Sequence, residues 1–263
     1  MIPFLQITWH QSPAIRLAIW WNLALTAIAL IGLGVDHRSI LGLNPWIKPL
    51  KFDLSVLIFL ITIAAFLSAL GPRFPQQSTF ISWGIAIALI FENSIISLQS
   101  LRGVRSHMNY DSILDGTLFG IMGTLIALNT LLVLWLLVLF CTTPTIWPPA
   151  AAWGARIGLA VLVIGSLEGI LMVHRGAHTV GAPDGLPGIP FVNWSTTHGD
   201  LRVAHFFALH AFQLLPLLGY ALSRSTWTER AQLMALAATS TGYFVLIWAL
   251  FQQALAGRPV IPT

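Results

Sequence analysis

The hydrophobic and polar positions of this chain sort into seven long, predominantly apolar runs, at about 15–35, 49–70, 80–101, 113–140, 154–174, 200–222 and 230–252. A helix needs about 20 apolar residues to cross the roughly 30 Å hydrocarbon core of a bilayer, and each run meets that length. The runs do not alternate with period two, so they do not read as barrel strands. Turn chemistry separates them: Gly42, Asn44 and Pro45; Gly71, Pro72 and Pro75; Pro144, Pro148 and Pro149; and the Gly- and Pro-rich stretch from Gly176 to Pro190. Lipid offers no hydrogen-bond partner to irregular backbone, so the pattern predicts an all-α integral membrane protein, a bundle of about seven transmembrane helices in one polytopic domain spanning 1–263. Trp9, Trp46, Trp83, Trp147, Trp153, Trp194 and Trp227 fall near the predicted helix ends, where indole favours the interface.

Composition agrees with that segmentation. Charged residues make up 8% of the 263 residues, against about 25% in a soluble domain, while apolar residues make up 56%. The 13 basic residues outnumber the 9 acidic ones, but they stand singly between apolar runs, so no basic stripe for nucleic acid exists. Cys141 is the one cysteine, which excludes an intrachain disulfide, a C-x-x-C pair, a thiolate zinc site and covalent haem attachment through C-x-x-C-H. Any metal or haem must use His, carboxylate or Met ligands. Met1 to Pro13 lacks a basic region and a small-residue cleavage site, so the first run is expected to be retained as a span.

Seven crossings divide the loops between two sides. One side receives Arg16, Arg73, Arg156, Arg224 and Arg230; the other receives Arg38, Lys48, Lys51, Arg102, Arg105, Arg175, Arg202 and Arg258. The second side also receives Asp36, Asp53, Asp111, Asp115, Asp184 and Asp200, and six of the eight histidines lie on it or within two turns of it. The positive-inside rule favours a cytoplasmic position for this second side only weakly, because its charges are also candidates for function. Polar side chains inside spans are costly unless partnered, so the expectation is a polar site near this face, bounded by the second to sixth helices. The plain alternative is a hydrophilic loop surface.

Several residues carry that expectation. In the sixth run His198, Arg202 and His205 fall on one stripe at i, i+4, i+7, with Asp200 at the helix start. His210 and Gln213 form a deeper stripe, just before Pro216. Glu92 in the third run lies ten residues before Arg102, about 15 Å deep, the depth expected for His210, so the two are expected to approach each other. A buried carboxylate there should be neutral or paired. Glu168 lies on a stripe with Met172 and Arg175, and it calls for a partner on another helix. Asp53 also asks for a partner, with Arg102, Arg105 and Arg202 as candidates. His174 and His178 have i, i+4 spacing, a metal-ligand spacing if the helix continues through Gly176. Asp111 and Asp115 read as helix-start acids, Lys48 and Lys51 as interface anchors, and the glycine pairs Gly120/Gly123 and Gly154/Gly158 as close helix packing.

The 176–199 loop is long, with turn residues first and then Phe191, Val192 and Trp194 ahead of a helix cap in Thr-Thr-His-Gly-Asp, which reads as a packed lid. The stretches Asn44-Pro-Trp-Ile-Lys-Pro-Leu-Lys-Phe52, Leu98-Gln-Ser-Leu-Arg-Gly-Val-Arg-Ser-His-Met-Asn109 and Phe191-Val-Asn-Trp-Ser-Thr-Thr-His-Gly-Asp-Leu-Arg-Val-Ala-His205 resemble those of an uncharacterised family of hypothetical bacterial polytopic membrane proteins. The resemblance implies a bacterial inner (cytoplasmic) membrane location and no particular chemistry. No G-x-S-x-G or H-E-x-x-H motif occurs.

Three functions compete on these residues. A redox protein would hold b-type haem or a non-haem Fe, Zn or Cu ion with ligands among His107, His174, His178, His205 and His210, and with Glu92, Arg102, Glu168, Asp200 and Arg202 as its chemically active polar groups. His205 and His210 alone cannot clamp one haem, since i, i+5 sets them about 140° apart. A proton-coupled transporter of a small solute would relay protons through Glu92, Glu168 and His210, although no inverted repeat is visible. An accessory subunit of a larger membrane complex would use the same residues for interhelical hydrogen bonds alone. Its partners would be the lipid bilayer and other membrane proteins.

Overall fold

A computed structural model describes residues 12–262. The expectations for the N-terminal stretch, including Trp9 and His10, fall outside the described residues. Among the described residues, seven helices long and apolar enough to cross a membrane follow one another, so this is a multi-pass, all-α membrane protein. They are α1 (Pro13–Val35), α2 (Ile47–Ala69), α3 (Pro75–Arg102), α4 (Ile113–Thr142), α5 (Pro149–Arg175), α6 (Leu201–Ser223) and α7 (Glu229–Leu255). Two short strands, β1 (Thr179–Val180) and β2 (Gly199–Asp200), pair antiparallel between α5 and α6.

Local chemistry sets the ends. Ser12 Oγ accepts the Ile15 amide at the start of α1, and Thr228 Oγ1 accepts the Ala231 amide at the start of α7. Helices α3 and α5 begin at Pro75 and Pro149, earlier than the apolar runs alone predict, because a first-turn proline suits the helix and needs no amide partner. Both end on a left-handed glycine, Gly103 with φ 75° and Gly176 with φ 65°.

The chain forms two compact units, Met1–Leu132 and Val133–Thr263, whose boundary in sequence falls within α4. In unit 1, α1, α2 and α3 pack on one another, and α4 joins through Phe119 and Met122 against Ile95 and Ile96 of α3. In unit 2, α5 and α6 make the most extensive pairing, with α7 packed against both. That seam is built from glycine: a Cβ on Gly154 would lie 2.3 Å from the Leu215 carbonyl oxygen, and one on Gly158 2.6 Å from the Phe212 Cα. Gly219 meets the Ala150 backbone in the same way, and Gly165 meets the Ala208 methyl, so the helices approach as only small residues permit. Gly120 and Gly123 differ from expectation, since a Cβ on either would meet nothing within 4 Å. Helix α6 continues through Pro216 to Ser223.

Candidate functional site

The polar groups of unit 1 lie between its helices and in two loops that fold onto them. The α1–α2 loop is tied by Asp36, whose carboxylate accepts two hydrogen bonds from the Arg38 side chain, at 2.9 and 2.6 Å, and one from Trp46 Nε1 at 2.9 Å. The Arg38 guanidinium holds the Asp36 carboxyl well below the usual carboxylate range. Arg38 also donates to the Leu101 carbonyl at 3.0 Å, which satisfies the C-terminus of α3. A side chain on Gly103 would strike the same guanidinium at 2.9 Å. Trp46 is buried on Gly32, so this indole is a packing residue and not an interface anchor.

The α3–α4 loop turns inward. Asn109 is fully buried and braces the loop, donating to the Arg105 carbonyl and accepting from the Asp111 amide. Met108, with φ 51°, packs on the Ile95/Phe119 cluster. Between them, His107 inserts its ring against Phe52 and Phe119, with centroids 5.6 and 5.9 Å away. Its Nδ1 lies 3.2 Å from Lys48 Nζ and 3.1 Å from Ser106 Oγ, and its Nε2 lies 3.5 Å from Glu92 Oε1. An ammonium has only protons to offer, so Lys48 donates to Nδ1 and the imidazole proton resides on Nε2, facing the carboxyl. Burial, and then the Lys48 charge, push the His107 pKa well below the ordinary histidine value. The result is a chain of ionisable groups, Lys48, His107 and Glu92, leading from a loop to a glutamate that is 2% exposed in the middle of α3. Among the described residues, Glu92 Oε2 has no hydrogen-bond partner.

One residue further along α3, Asn93 joins α1 and α2. Its Nδ2 donates to Asn22 Oδ1 at 2.5 Å and to Asp53 Oδ1 at 2.9 Å, and all three residues are buried. The expected arginine partner for Asp53 is thus replaced by an amide, because the arginines are engaged elsewhere. Arg102 pairs with Asp115 at 2.5 Å, Arg105 with Asp111 at 3.4 Å, and Arg202 with Asp200 at 2.6 Å. Asp115 is more than a helix-start acid: it is buried and gathers Gln99, Arg102 and Ser112. Arg102 therefore acts as a clamp between α3 and α4.

Unit 2 places its charges differently. Asp200 caps α6, accepting the Arg202 amide at 3.0 Å, and it also receives the Arg202 guanidinium and the Ser195 amide. Arg202 Nη2 further donates to the Asn193 carbonyl. Burial works to raise the Asp200 pKa, but the Arg202 hydrogen bond and charge, the Ser195 amide and the nearby His178 together outweigh it and the net shift is downward. Asp184 accepts the His178 and Thr179 amides, and the His178 ring lies 3.2 Å from it. Together with the β1–β2 pairing and Trp194 against Phe206, these bonds fold the 176–199 segment into a fixed structure. Asp200 and Arg202 are its fastening.

The remaining predicted residues disperse. His198 precedes α6, so the stripe His198, Arg202, His205 is not helical throughout; its amide donates to Ser195 Oγ. His174 lies in the last turn of α5 while His178 follows the Gly176 cap, so they do not form a helical i, i+4 pair. His205 Nδ1 lies 2.9 Å from the Gly165 carbonyl, and His210 Nδ1 lies 3.0 Å from the Phe206 carbonyl. The His210 ring stacks on Phe206 at 4.2 Å, while Glu92 has its contact in His107 of its own unit. Glu168 Oε2 and Gln213 Oε1 have no hydrogen-bond partner. Among the described residues, no group of three or more His, Cys, Asp or Glu is placed to hold a metal ion.

Sequence reasoning passed over Asn22 and the inward role of Lys48. Asn22 does carry a signal, a carboxamide within an apolar run, which is the signal that marks Glu92. No known protein family, curated protein or solved structure matches the chain.

Proposed function

We propose that this protein is a proton-coupled transporter of a small solute in a bacterial inner membrane, and that unit 1 carries the proton. The observation that supports this reading is the Lys48–His107–Glu92 chain, which connects a loop to a carboxyl group buried among apolar helices. Intramembrane ionisable groups are expensive, and this one lacks the arginine partner that would make it a structural ion pair. With its proton on Nε2, His107 passes that proton to Glu92 Oε1 while Nδ1 takes one from Lys48 or from solvent, so the ring returns to its starting charge. Glu92 then holds the proton as a neutral acid until a change in its surroundings releases it.

Proton uptake by proteoliposomes under an imposed pH gradient tests the reading. Glu92→Gln is expected to lower the flux at least tenfold with little change in Tm, whereas Glu168→Gln in unit 2 leaves it within twofold. Equal flux from wild type and Glu92→Gln would reject the relay, and a fall in Tm with no change in flux would favour the accessory subunit.

A second reading, haem or metal binding, is favoured by the imidazoles of α6. His205 and His210 each direct Nδ1 to a backbone carbonyl, which leaves Nε2 as the ligating nitrogen. Absorbance spectra of the oxidised and reduced purified protein decide it: a Soret band, or a stoichiometric metal by elemental analysis, supports this reading, and neither disposes of it.

A further inference from the structure

Where α1, α2 and α3 meet, two oxygens are held toward one amide. Asn22 cannot turn away, because its Nδ2 donates to the Ala18 carbonyl at 2.8 Å, and this fixes its Oδ1 toward Asn93. Asp53 offers only oxygen when ionised, and its Oδ1 lies on the other side of the same Asn93 amide. With Nδ2 turned inward, Asn93 satisfies both, at 2.5 and 2.9 Å. That arrangement leaves two buried oxygens without a donor, Asn93 Oδ1 and Asp53 Oδ2, in residues 1% and 0% exposed. A third, Ser97 Oγ, lies one turn further along α3 on the Asn93 face. Buried polar atoms are rarely left unpaired, and two acceptor oxygens on contacting residues, Asn93 Oδ1 and Asp53 Oδ2, point to a missing positive group.

A half-turn of the Asn93 carboxamide would bring its oxygen between Asn22 Oδ1 and Asp53. The oxygen would take the place of Nδ2 and face Asn22 Oδ1 and Asp53 Oδ1, and three oxygens crowded together repel one another unless a cation bridges them. From this we infer that Asn22, Asp53 and Asn93 form a binding site for a sodium-sized monovalent cation, with the Asn93 carboxamide as its switch. All ligands are hard oxygens, which suits an alkali or alkaline-earth ion and not a transition metal. The single carboxylate neutralises one positive charge, which selects the monovalent ion. The close spacing of the three side chains suits sodium better than the larger potassium. Without the ion, the inward amide holds the helices together. With the ion, the amide oxygen becomes a ligand and the Asn93 nitrogen turns outward, so occupancy is coupled to a side-chain rotation at the junction of three helices.

This site stands on its own geometry and does not depend on the proton relay through Glu92. The test uses the full-length protein in nanodiscs, melted at constant ionic strength in sodium, potassium or choline chloride. Sodium is expected to raise Tm in a saturable manner, by on the order of 5 °C at a hundredfold excess over Kd, through its binding to the folded state alone. Potassium and choline should not. Asp53→Asn is expected to abolish the sodium shift, Asn93→Ala to weaken apparent sodium affinity at least tenfold, and Glu92→Gln to keep the shift intact. Direct binding of radioactive sodium to the wild-type protein provides a reading independent of how the variants fold. Identical melting in all three salts together with no retained sodium would overturn the site, as would a sodium shift that survives in folded Asp53→Asn. A transition that responds to pH but not to sodium would also overturn it, assigning the position to a proton.

Discussion

At the helix contacts of unit 1 stand a carboxylate and amides: Asp53, Asn93 and Asn22 bridge three helices, and Glu92 faces a histidine from a loop. At the main helix seam of unit 2 stand glycines, with Gly154, Gly158 and Gly219 bringing backbone against backbone and Gly165 receiving the Ala208 methyl. The best-connected charges of unit 2, Asp200 and Arg202, are at its loop, where Asp200 accepts from the Arg202 guanidinium and the Ser195 amide and Arg202 also donates to the Asn193 carbonyl. Van der Waals contact between small residues is a rigid means of joining helices in lipid. A buried carboxylate with an unpaired oxygen is a poor means of stabilisation and a good means of responding to a proton or an ion. The contrast sets the polar helix contacts that carry the proposed proton and ion chemistry in unit 1 against close small-residue packing at the α5–α6 seam of unit 2, whose helices hold one such carboxylate oxygen of their own, Glu168 Oε2.

The strongest way to break that contrast is to enlarge a glycine of the seam. Gly158→Leu would drive a side chain into the Phe212 backbone, and a loss of about 3 kcal/mol or more is expected from overpacking. Chemical denaturation of the purified protein in mixed micelles measures it. Gly120→Leu, where a Cβ meets nothing within 4 Å, should cost less than about 1 kcal/mol. Equal losses at the two glycines would mean that the seam is not what holds unit 2.

Releasing the loop of unit 2 should have the next largest effect. Arg202→Ala leaves Asp200 buried with backbone amides as its donors, at a cost of about 2 kcal/mol. Limited proteolysis is expected to cut first within 176–199, while the 103–112 loop of unit 1 remains resistant. Cleavage at both loops, or at neither, would show that Arg202 does not act as a local fastening.

Acid should separate the units with the smallest perturbation. The His107 pKa is depressed in the folded state, so its neutral packing contributes stability that is present above the ordinary histidine value of about 6.5 and is lost as pH falls below it. Lys48 and Glu92 are the ionisable groups facing that ring. The Asp200 pKa is lowered as well, but its reference is the carboxylate value of about 3.9, so its contribution persists until pH falls below that. Hydrogen exchange is expected to show loss of protection in 103–112 between pH 7 and pH 5, with 176–199 unchanged until about pH 4. Simultaneous loss in both loops would remove the distinction.

Much of this was legible in the residues. The spans, the glycine packing of Gly154 and Gly158, the cap at Asp200 and the unusual position of Glu92 all follow from local pattern, because hydropathy, turn chemistry and helical spacing act over a few neighbours. The partners were not legible. Depth counting ranks His210 as a partner for Glu92 but gives no sign of the contact Glu92 makes inside unit 1, with His107 from a loop that folds inward, because such a loop leaves the helical rise. Charge alone offers Asp53 an arginine, whereas an amide bonds it and Arg102, Arg105 and Arg202 each pair with another carboxylate.

The sequence by itself determined that this is a seven-helix membrane protein and which of its polar residues would be costly to bury. Only the tertiary structure decided which of them meet. Burial cost is a property of one side chain and its immediate neighbours along the chain. A hydrogen bond between Asn22, Asp53 and Asn93 depends on three helices packing in one register, which no single stretch of sequence encodes.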